Sequence, residues 1–196
     1  HHSMEDLSLM QSIPNMNVLC PGDPIEVDAC IKIYKKFKGP VYLRLGKKGE
    51  RLVNEKKFKL KALTPNTIQK GSNVAIIAVG NTLDLSQDIC DELKKIKIDS
   101  TLISLIFLKP LNIKFINMIF KNYKLIILVE EHSEIGGAAA TIKNNLDKIK
   151  NFSKESLITF SAPDKFLGGI GDQANIRNKI NLEKRKIVNK IIKTLK

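Results

Sequence analysis

The sequence has little cysteine and no long apolar run, and each scarcity excludes a class of protein. The three cysteines, Cys20, Cys30 and Cys90, are odd in number and unevenly spaced. They predict neither a disulfide framework nor a zinc site, and they favour a reducing, cytoplasmic location. The longest apolar runs, 101–108 and 125–129, fall short of the ~18 residues that a membrane span requires. No membrane partner and no signal peptide are predicted, so we expect a soluble, unexported protein.

Arginine is also scarce, although the chain is strongly basic. Its 33 Lys and Arg residues oppose 20 acidic residues, a formal net charge of +13, yet arginine occurs only at Arg44, Arg51, Arg177 and Arg185. Nucleic-acid readers rely on arginine because its guanidinium binds phosphates and guanine edges through paired hydrogen bonds. The sequence therefore predicts no nucleic-acid partner, while its charge is compatible with anionic metabolites.

The first 46 residues predict two strands and an intervening helix. The strands cover 17–20 and 41–45, and a turn at 20–22 precedes the helix. Asp23 can cap this helix, Pro24 lies in its first turn, and Glu26 completes a capping box. Its buried face is predicted to contain residues at helical spacing: Val27, Cys30, Ile31, Tyr34 and Phe37.

Residues 47–70 predict a linker, because apolar periodicity gives way there to Lys, Glu, Asn and Pro, with one short strand indicated over 58–63. Residues 71–196 then alternate between strands and helices. The predicted strands are 74–79, 101–106, 125–130 and 157–160, and the predicted helices are 83–96, 113–121, 137–149 and 183–195. Uninterrupted apolar strands are typical of sheets covered on both faces. The predicted fold class is α/β, a mostly parallel open sheet flanked by helices.

Three loops at predicted strand ends could carry chemistry, since ligands bind beyond the carboxyl ends of such strands. Turn 80–82 offers free amides to an anion, although a tight turn with Thr82 as helix cap is favoured. Three carboxylates around His132 fit metal or acid–base chemistry, whereas the small residues at 136–140 favour packing or a subunit contact, which we prefer. Loop 161–169, with two adjacent glycines, is expected to shape the surface.

Arg44 and the first two residues are further candidates. Arg44 lies near the end of a predicted strand among apolar neighbours, where a guanidinium needs an anionic partner. That partner could be a carboxylate in a structural salt bridge or a substrate phosphate. His1 and His2 could be native residues or the remainder of an affinity tag.

In order, these segments resemble the transketolase family. The segments HHSMEDLSLM at 1–10, IPNM at 13–16, CPGD at 20–23 and GPVYLRLG at 39–46 are similar to the second half of its pyrimidine-binding domain. The segments KPL at 109–111, VEEH at 129–132, the glycines at 136–137 and PDKF at 163–166 are similar to its C-terminal domain. The resemblance implies that 1–46 end a pyrimidine-binding domain and 71–196 form a transketolase C-terminal domain.

The resemblance also implies thiamine pyrophosphate and magnesium as cofactors of the complete enzyme. The family binds them between a pyrophosphate-binding domain with a Gly-Asp-Gly motif and a pyrimidine-binding domain that supplies a glutamate. The sequence contains no Gly-Asp-Gly motif, and that glutamate would precede His1. The chain alone is therefore expected to bind no cofactor, to be inactive, and to need an N-terminal pyrophosphate-binding subunit or domain as partner.

Two site positions carry over from the family. Its active-site histidine, which contacts substrate oxygens, falls on His1, with His2 as the neighbouring option, and this favours native histidines. Its phosphate-binding arginine falls on Arg44. Lys47 and Lys48 depart from the family pattern and leave the sugar-phosphate preference open. The C-terminal domain usually serves packing and dimer contact, so a homodimer is expected.

The expected function is transfer of a two-carbon ketol unit between sugar phosphates, as the C-terminal part or subunit of a transketolase. 1-Deoxyxylulose-5-phosphate synthase is a related possibility within the family. One alternative is the beta subunit of a 2-oxo acid dehydrogenase. Another is a non-catalytic α/β module that binds an anion or nucleotide at the 80–82 turn and regulates a partner.

Overall fold

Two sheets organise the residues described by the computed structural model, which are 4–46, 49–55, 58–61, 63–150, 152–165 and 173–195. The helices are α1 (Asp6–Ser12), α2 (Pro24–Ile33), α3 (Leu83–Lys95), α4 (Ile113–Asn122), α5 (Ala138–Lys143), α6 (Gln173–Lys179) and α7 (Lys184–Leu195). The strands are β1 (Asn17–Leu19), β2 (Val41–Leu43), β3 (Asn66–Gln69), β4 (Val74–Val79), β5 (Ser100–Ser104), β6 (Phe107–Lys109), β7 (Ile126–Ser133) and β8 (Leu157–Ala162).

The larger sheet has the strand order β3-β5-β4-β7-β8, and all its neighbours run parallel except the edge strand β3. Alternate residues of β4 enter different cores: Ala75, Ile77 and Val79 face α4 and α5, whereas Val74, Ile76 and Ala78 face α3 and α7. Because both faces are covered, the strand shows no polar alternation. The predicted α/β class with a mostly parallel, helix-flanked sheet is confirmed.

The smaller sheet has the order β2-β1-β6 and joins the two parts of the chain. β1 pairs in parallel with β2 and antiparallel with β6, which follows β5 after only two residues. The strand predicted over 101–106 is present as β5 but ends at Ser104, and β6 was not predicted. The apolar run is continuous because residues 105–108 are buried where the chain passes from one sheet to the other.

Helix α2 corrects the predicted buried face. Ile31 and Tyr34 are 54% and 49% exposed, whereas Ala29, Cys30 and Ile33 are buried. With Leu19, Cys30, Val41 and Leu43, the two exposed side chains line an open apolar groove of about 260 Å³. The side of α2 that carries Ile31 is therefore not covered by the described residues.

Other differences concern short elements. The described residues 58–61 form no strand, and the edge strand lies instead at β3. The helix predicted over 137–149 ends at Lys143, where the side chain of Asn145 donates to the carbonyl of Thr141. Helix α6 was not predicted, since its polar sequence has no apolar stripe. The closing helix is confirmed, with Ile187 and Ile191 fully buried.

Candidate functional site

Helix α1 and the end of β2 lie beside the carboxyl end of β7. The chain leaves β4 towards α3 on one face of the large sheet and leaves β7 towards α5 on the other face. Open α/β sheets bind ligands beyond the carboxyl ends of strands whose connections diverge in this way. The backbone N–H of Ser133 donates to the carbonyl of Met4 at 2.9 Å. The Lys109 ammonium donates to the carbonyls of Gln11 and Ile13, at 2.7 Å each. The N-terminal segment is thereby fixed against this edge of the sheet.

Arg44 lies directly after β2, where α1 and the carboxyl end of β7 meet. Its Nε donates to Oδ2 of Asp6 at 2.9 Å, and its Nη2 donates to the carbonyl of Glu131 at 3.0 Å. The hydroxyl of Tyr42 donates to the same Asp6 oxygen at 2.8 Å. Burial and this bond to Asp6 raise the pKa of Tyr42 to about 12. The side chains of Arg44 and Asp6 are 15% and 14% exposed, so the carboxylate supplies the anionic partner that a largely buried guanidinium needs.

The other two predicted site residues, His1 and His2, lie outside the described residues. Their assignment stays a prediction. The described part of the chain begins at Met4, two residues before Asp6.

Glu130 is a buried carboxylate with three donors. The backbone N–H groups of Ala138 and Ala139 donate to it at 2.6 and 3.3 Å, and the Ser161 hydroxyl donates at 2.8 Å. Burial raises its pKa, while these hydrogen bonds oppose the rise. The carboxylate thus satisfies the first amides of α5 and ties them to the end of β8.

His132 is fully buried and joins α1 to β7. The backbone N–H of Ser8 donates to Nε2 at 3.3 Å, so Nε2 is the acceptor. Nδ1 lies 2.9 Å from the carbonyl of Ser133 and therefore carries the proton of a neutral ring. Burial lowers the pKa of His132. The contacts support the packing interpretation of this segment over acid–base chemistry.

Glu131 binds Arg177, a residue that the sequence motifs did not single out. The Arg177 guanidinium donates to the Glu131 and Asp84 carboxylates and, at 2.6 Å, to the carbonyl of Asn81. Burial lowers the pKa of Arg177, but Glu131 and Asp84 outweigh burial and raise it. Burial together with Asp84 and Glu131 raises the pKa of the neighbouring Glu50 carboxyl to about 7. The rarity of arginine in the sequence is the signal that could have identified Arg177.

The turn after β4 is tight, as favoured from the sequence, but the prediction that the Thr82 side chain caps α3 is wrong. Gly80 has φ +60°, which glycine adopts without strain. Thr82 stands at the N-cap position of α3, yet its side chain makes no capping hydrogen bond. Its hydroxyl accepts from the N–H of Val79 at 3.1 Å and donates to the carbonyl of Val129 at 2.8 Å. Thr82 therefore ties β4 to β7.

The glycines before α5 allow close packing within the chain. Gly136 has φ +78°, and a Cβ there would lie 2.3 Å from Oγ and 3.3 Å from Cα of Ser8 in α1. A Cβ on Gly137 would lie 2.5 Å from the Glu130 carboxylate. Both glycines are thus needed to seat α1 and Glu130. In loop 161–169, the residues from Phe166 onward, including both glycines, lie outside the described residues.

The described residues contain neither a grouped set of metal ligands nor a membrane-spanning helix. Within that part of the chain, no three His, Cys, Asp or Glu side chains are placed so that they could hold a metal ion. No helix there is long and apolar enough to cross a membrane. All three cysteines are buried and free, and burial raises the pKa of Cys20 to about 12.

Comparison with known proteins identifies both parts of the chain. The family "Transketolase, C-terminal domain" matches residues 64–184, and "Transketolase, pyrimidine binding domain" matches residues 1–51. The 1-deoxy-D-xylulose-5-phosphate synthase of Alkaliphilus oremlandii is 28% identical over 195 residues, which are 98% of this chain and 31% of that protein. An apulose-4-phosphate transketolase subunit of Phocaeicola vulgatus is 28% identical over 149 residues, covering 76% of this chain and 48% of that protein.

A solved structure agrees in fold. A split-gene transketolase, an inactive beta4 tetramer, superposes with a TM-score of 0.84 at 24% identity, over 98% of this chain and 61% of that chain. The chain spans about a third to a half of the length of the two curated relatives. Since the C-terminal-domain match covers more than half of its residues, the chain belongs to the transketolase family.

Proposed function

We propose that the chain is the C-terminal part or subunit of a thiamine-pyrophosphate-dependent transketolase that transfers a two-carbon ketol unit between sugar phosphates. The observation that carries the proposal is the largely buried Arg44 at the junction of the two family domains, beside the carboxyl edge of the large sheet. Residues 1–46 contribute the end of the pyrimidine-binding domain, 47–70 the linker and 71–196 the C-terminal domain.

Within this proposal, Arg44 binds the substrate's terminal phosphate. Its Nη1 makes no hydrogen bond with the described residues, so the end of the guanidinium is free to donate to an anion. Phosphate suits this edge because two parallel N–H groups can bind two of its oxygens. His1, with His2 as the alternative, contacts substrate oxygens beside the reacting carbon.

The cofactor and its magnesium are bound mainly by residues outside this chain. The sequence contains no Gly-Asp-Gly motif, and the described residues offer no group of metal ligands, so they do not fit a magnesium pyrophosphate site. When bound, the thiazolium ring supplies the nucleophilic carbon of the reaction. The proposed partners are an N-terminal pyrophosphate-binding subunit or domain, a sugar phosphate and a second copy of the chain. The proposed location is the cytoplasm.

A second candidate function is 1-deoxy-D-xylulose-5-phosphate synthesis. It is supported by the Alkaliphilus relative of that name, which matches almost the whole chain, whereas the apulose-4-phosphate transketolase relative matches three quarters of it. Both names specify a phosphorylated sugar, so both candidates use Arg44 in the same way. Mass spectrometry of the products formed by the complete enzyme separates them.

The role of Arg44 is tested by Arg44→Ala in the complete enzyme, where the chain is joined to its upstream region. Losing charge-assisted hydrogen bonds costs ~1.5–3 kcal/mol, so KM for phosphorylated sugars should rise about ten- to hundred-fold. Activity on unphosphorylated sugars should hardly change. His1→Ala should instead lower kcat for both substrate types, because its interaction strengthens as charge develops.

Equal weakening of phosphorylated and unphosphorylated substrates by Arg44→Ala would contradict the phosphate role. The bond between Arg44 and Asp6 would then be a structural salt bridge only.

A further inference from the structure

The small sheet is open at β2. Among the described residues, β2 pairs only with β1, which lies between β2 and β6. The backbone N–H of Arg44, just after β2, donates to the Leu19 carbonyl of β1 at 2.9 Å. Because alternate residues of a parallel strand bond to opposite sides, the backbone groups of Val41 and Leu43 point to the outer edge. The described part of the chain places no strand at that edge.

An apolar groove of about 260 Å³ runs beside this open edge. Strand β2 contributes Val41 and Leu43 to its walls, and β1 contributes Leu19. Helix α2 contributes the half-exposed Ile31 and Tyr34. A strand added beyond β2 would direct every second side chain towards α2 and over the groove. The groove therefore fits the apolar side chains of such a strand.

Helices α1 and α2 cover opposite faces of the small sheet. On one face, Leu7 of α1 packs in the same core as Val18 and Tyr42. On the other face, Cys30 of α2 packs in the same core as Leu19. Val18 and Leu19 are successive residues of β1, so their side chains point to opposite faces. The chain thus crosses the sheet on one face before β1 and on the other face after it.

This arrangement determines where a strand that precedes α1 can lie. Crossovers between parallel strands of one sheet are almost always right-handed. The crossover through α2 leads from β1 to β2. A right-handed crossover through α1, on the opposite face, must run in the opposite direction across the sheet. A parallel strand before α1 therefore lies on the β2 side of β1, and it lies beyond β2, because β2 is the immediate neighbour.

We propose that the outer edge of β2 and the α2 groove bind the upstream half of the pyrimidine-binding domain. That half adds a strand parallel to β2 and places apolar side chains over Ile31 and Tyr34. The longer relatives have chain to supply it, since this chain covers 31% of the Alkaliphilus protein and 61% of the split-gene transketolase chain. The inference rests on the proposed function, in which an upstream region completes the enzyme, and it names the surface where the two halves join.

The first test is residue-resolved hydrogen exchange of the 196-residue chain and of the complete enzyme, in which the chain is joined to its upstream region. The N–H groups of Val41 and Leu43 should exchange about a hundred-fold more slowly in the complete enzyme, because carbonyls of the added strand accept from them. The Arg44 N–H is the internal control. It already donates to Leu19 and should be protected in both proteins.

A second copy of the chain is the competing occupant of this surface. It would protect Val41 and Leu43 in the chain alone, increasingly with protein concentration, and the complete enzyme would add no protection. That result would overturn the inference. Rapid exchange of both N–H groups in the complete enzyme would overturn it as well.

The second test places a charge in the groove. Ile31→Asp should hardly change the Tm of the chain alone, where Ile31 is 54% exposed. It should lower the Tm of the complete enzyme by about 5 °C or more, because the upstream half would bury the carboxylate. Ile96→Asp is the matched control, since Ile96 is 49% exposed at the end of α3. It should act equally in both proteins, and an equal effect of Ile31→Asp in both would contradict the inference.

Both tests are independent of catalysis. If β2 is protected in a complete enzyme that transfers no ketol unit, the proposed function fails and this interface stands. If the complete enzyme is active while Val41 and Leu43 exchange as fast as in the chain alone, the interface is wrong and the proposed function stands.

Discussion

Three of the four arginines in this lysine-rich chain each donate hydrogen bonds in several fixed directions. Arg44, Arg51 and Arg177 each donate to at least two acceptors, and in each case one acceptor is a backbone carbonyl. A lysine ammonium at the end of a flexible stem cannot reproduce such fixed geometry. The scarcity of arginine therefore marked structurally important positions, although the sequence motifs singled out only Arg44.

The neutral state of His132 predicts a pH dependence of stability. Its pKa is lowered in the folded chain, so the unfolded chain takes up the proton first as pH falls below about 6.5. The contribution of His132 to stability is present above that pH and is lost below it. Stability should therefore fall as the pH is lowered through this range, by less than the one-proton limit of ~1.4 kcal/mol per pH unit.

Urea unfolding of the chain at intervals between about pH 5.5 and about pH 7.5 measures this slope. His132→Gln, which cannot titrate, should show a flatter dependence over the same interval. The charged groups that face His132 are Arg44 and Asp6, and they are unchanged in the variant. A slope equal to that of the wild type would rule out His132 as its source.

At the scale of the elements, the seating of α1 depends on one close contact. Gly136 lies against Ser8 at a positive φ, whereas Gly49 has φ +101° and a Cβ added there would have no atom within 4 Å. Alanine at either position costs ~1 kcal/mol in backbone strain. At Gly136 it must also displace α1, so Gly136→Ala should cost about 1–3 kcal/mol more than Gly49→Ala.

The free energy of unfolding of both variants in urea provides the comparison. Gly49→Ala serves as the control for backbone strain alone. Equal losses for the two variants would show that α1 does not depend on the space left by Gly136.

Long, strongly patterned elements were predictable, and contacts between distant segments were not. β4, α3, α4 and α7 were identified because apolar residues recur at strand or helix spacing. The exposed side of α2 was mispredicted because spacing does not reveal how many strands cover a helix face. Likewise the strand predicted over 101–106 was extended past the end of β5 and β6 was missed, since a buried crossing between sheets has the same composition as a strand.

Only part of the candidate site could be predicted, because its contacts also join distant segments of the chain. Arg44 was identified from its apolar surroundings and the family resemblance. Its partner Asp6 is 38 positions away in the chain, and Arg177 lies 46 positions from Glu131. Such pairs arise only when the strands and helices are assembled, and no local spacing indicates them.

At the scale of the whole molecule, the two parts are held by buried polar contacts as well as by packing. Glu26, at the start of α2, accepts from Gly22, from the Ser104 hydroxyl in β5 and from the side chains of Asn54 and Asn66. The start of α2 therefore docks on the large sheet through a fully hydrogen-bonded carboxylate. This docking places Arg44 at the carboxyl edge of the sheet, where we propose that the substrate binds.

Two-carbon transfer between sugar phosphates, measured with magnesium and thiamine pyrophosphate, tests the central claim most directly. The chain alone and the complete enzyme, assembled with the upstream protein that carries the Gly-Asp-Gly motif, are assayed in parallel. We expect the chain alone to be inactive and the assembled enzyme to form the new sugar phosphate only when the cofactor is present. Turnover by the chain alone, or an assembled enzyme inert towards every phosphorylated sugar, would contradict the proposed function.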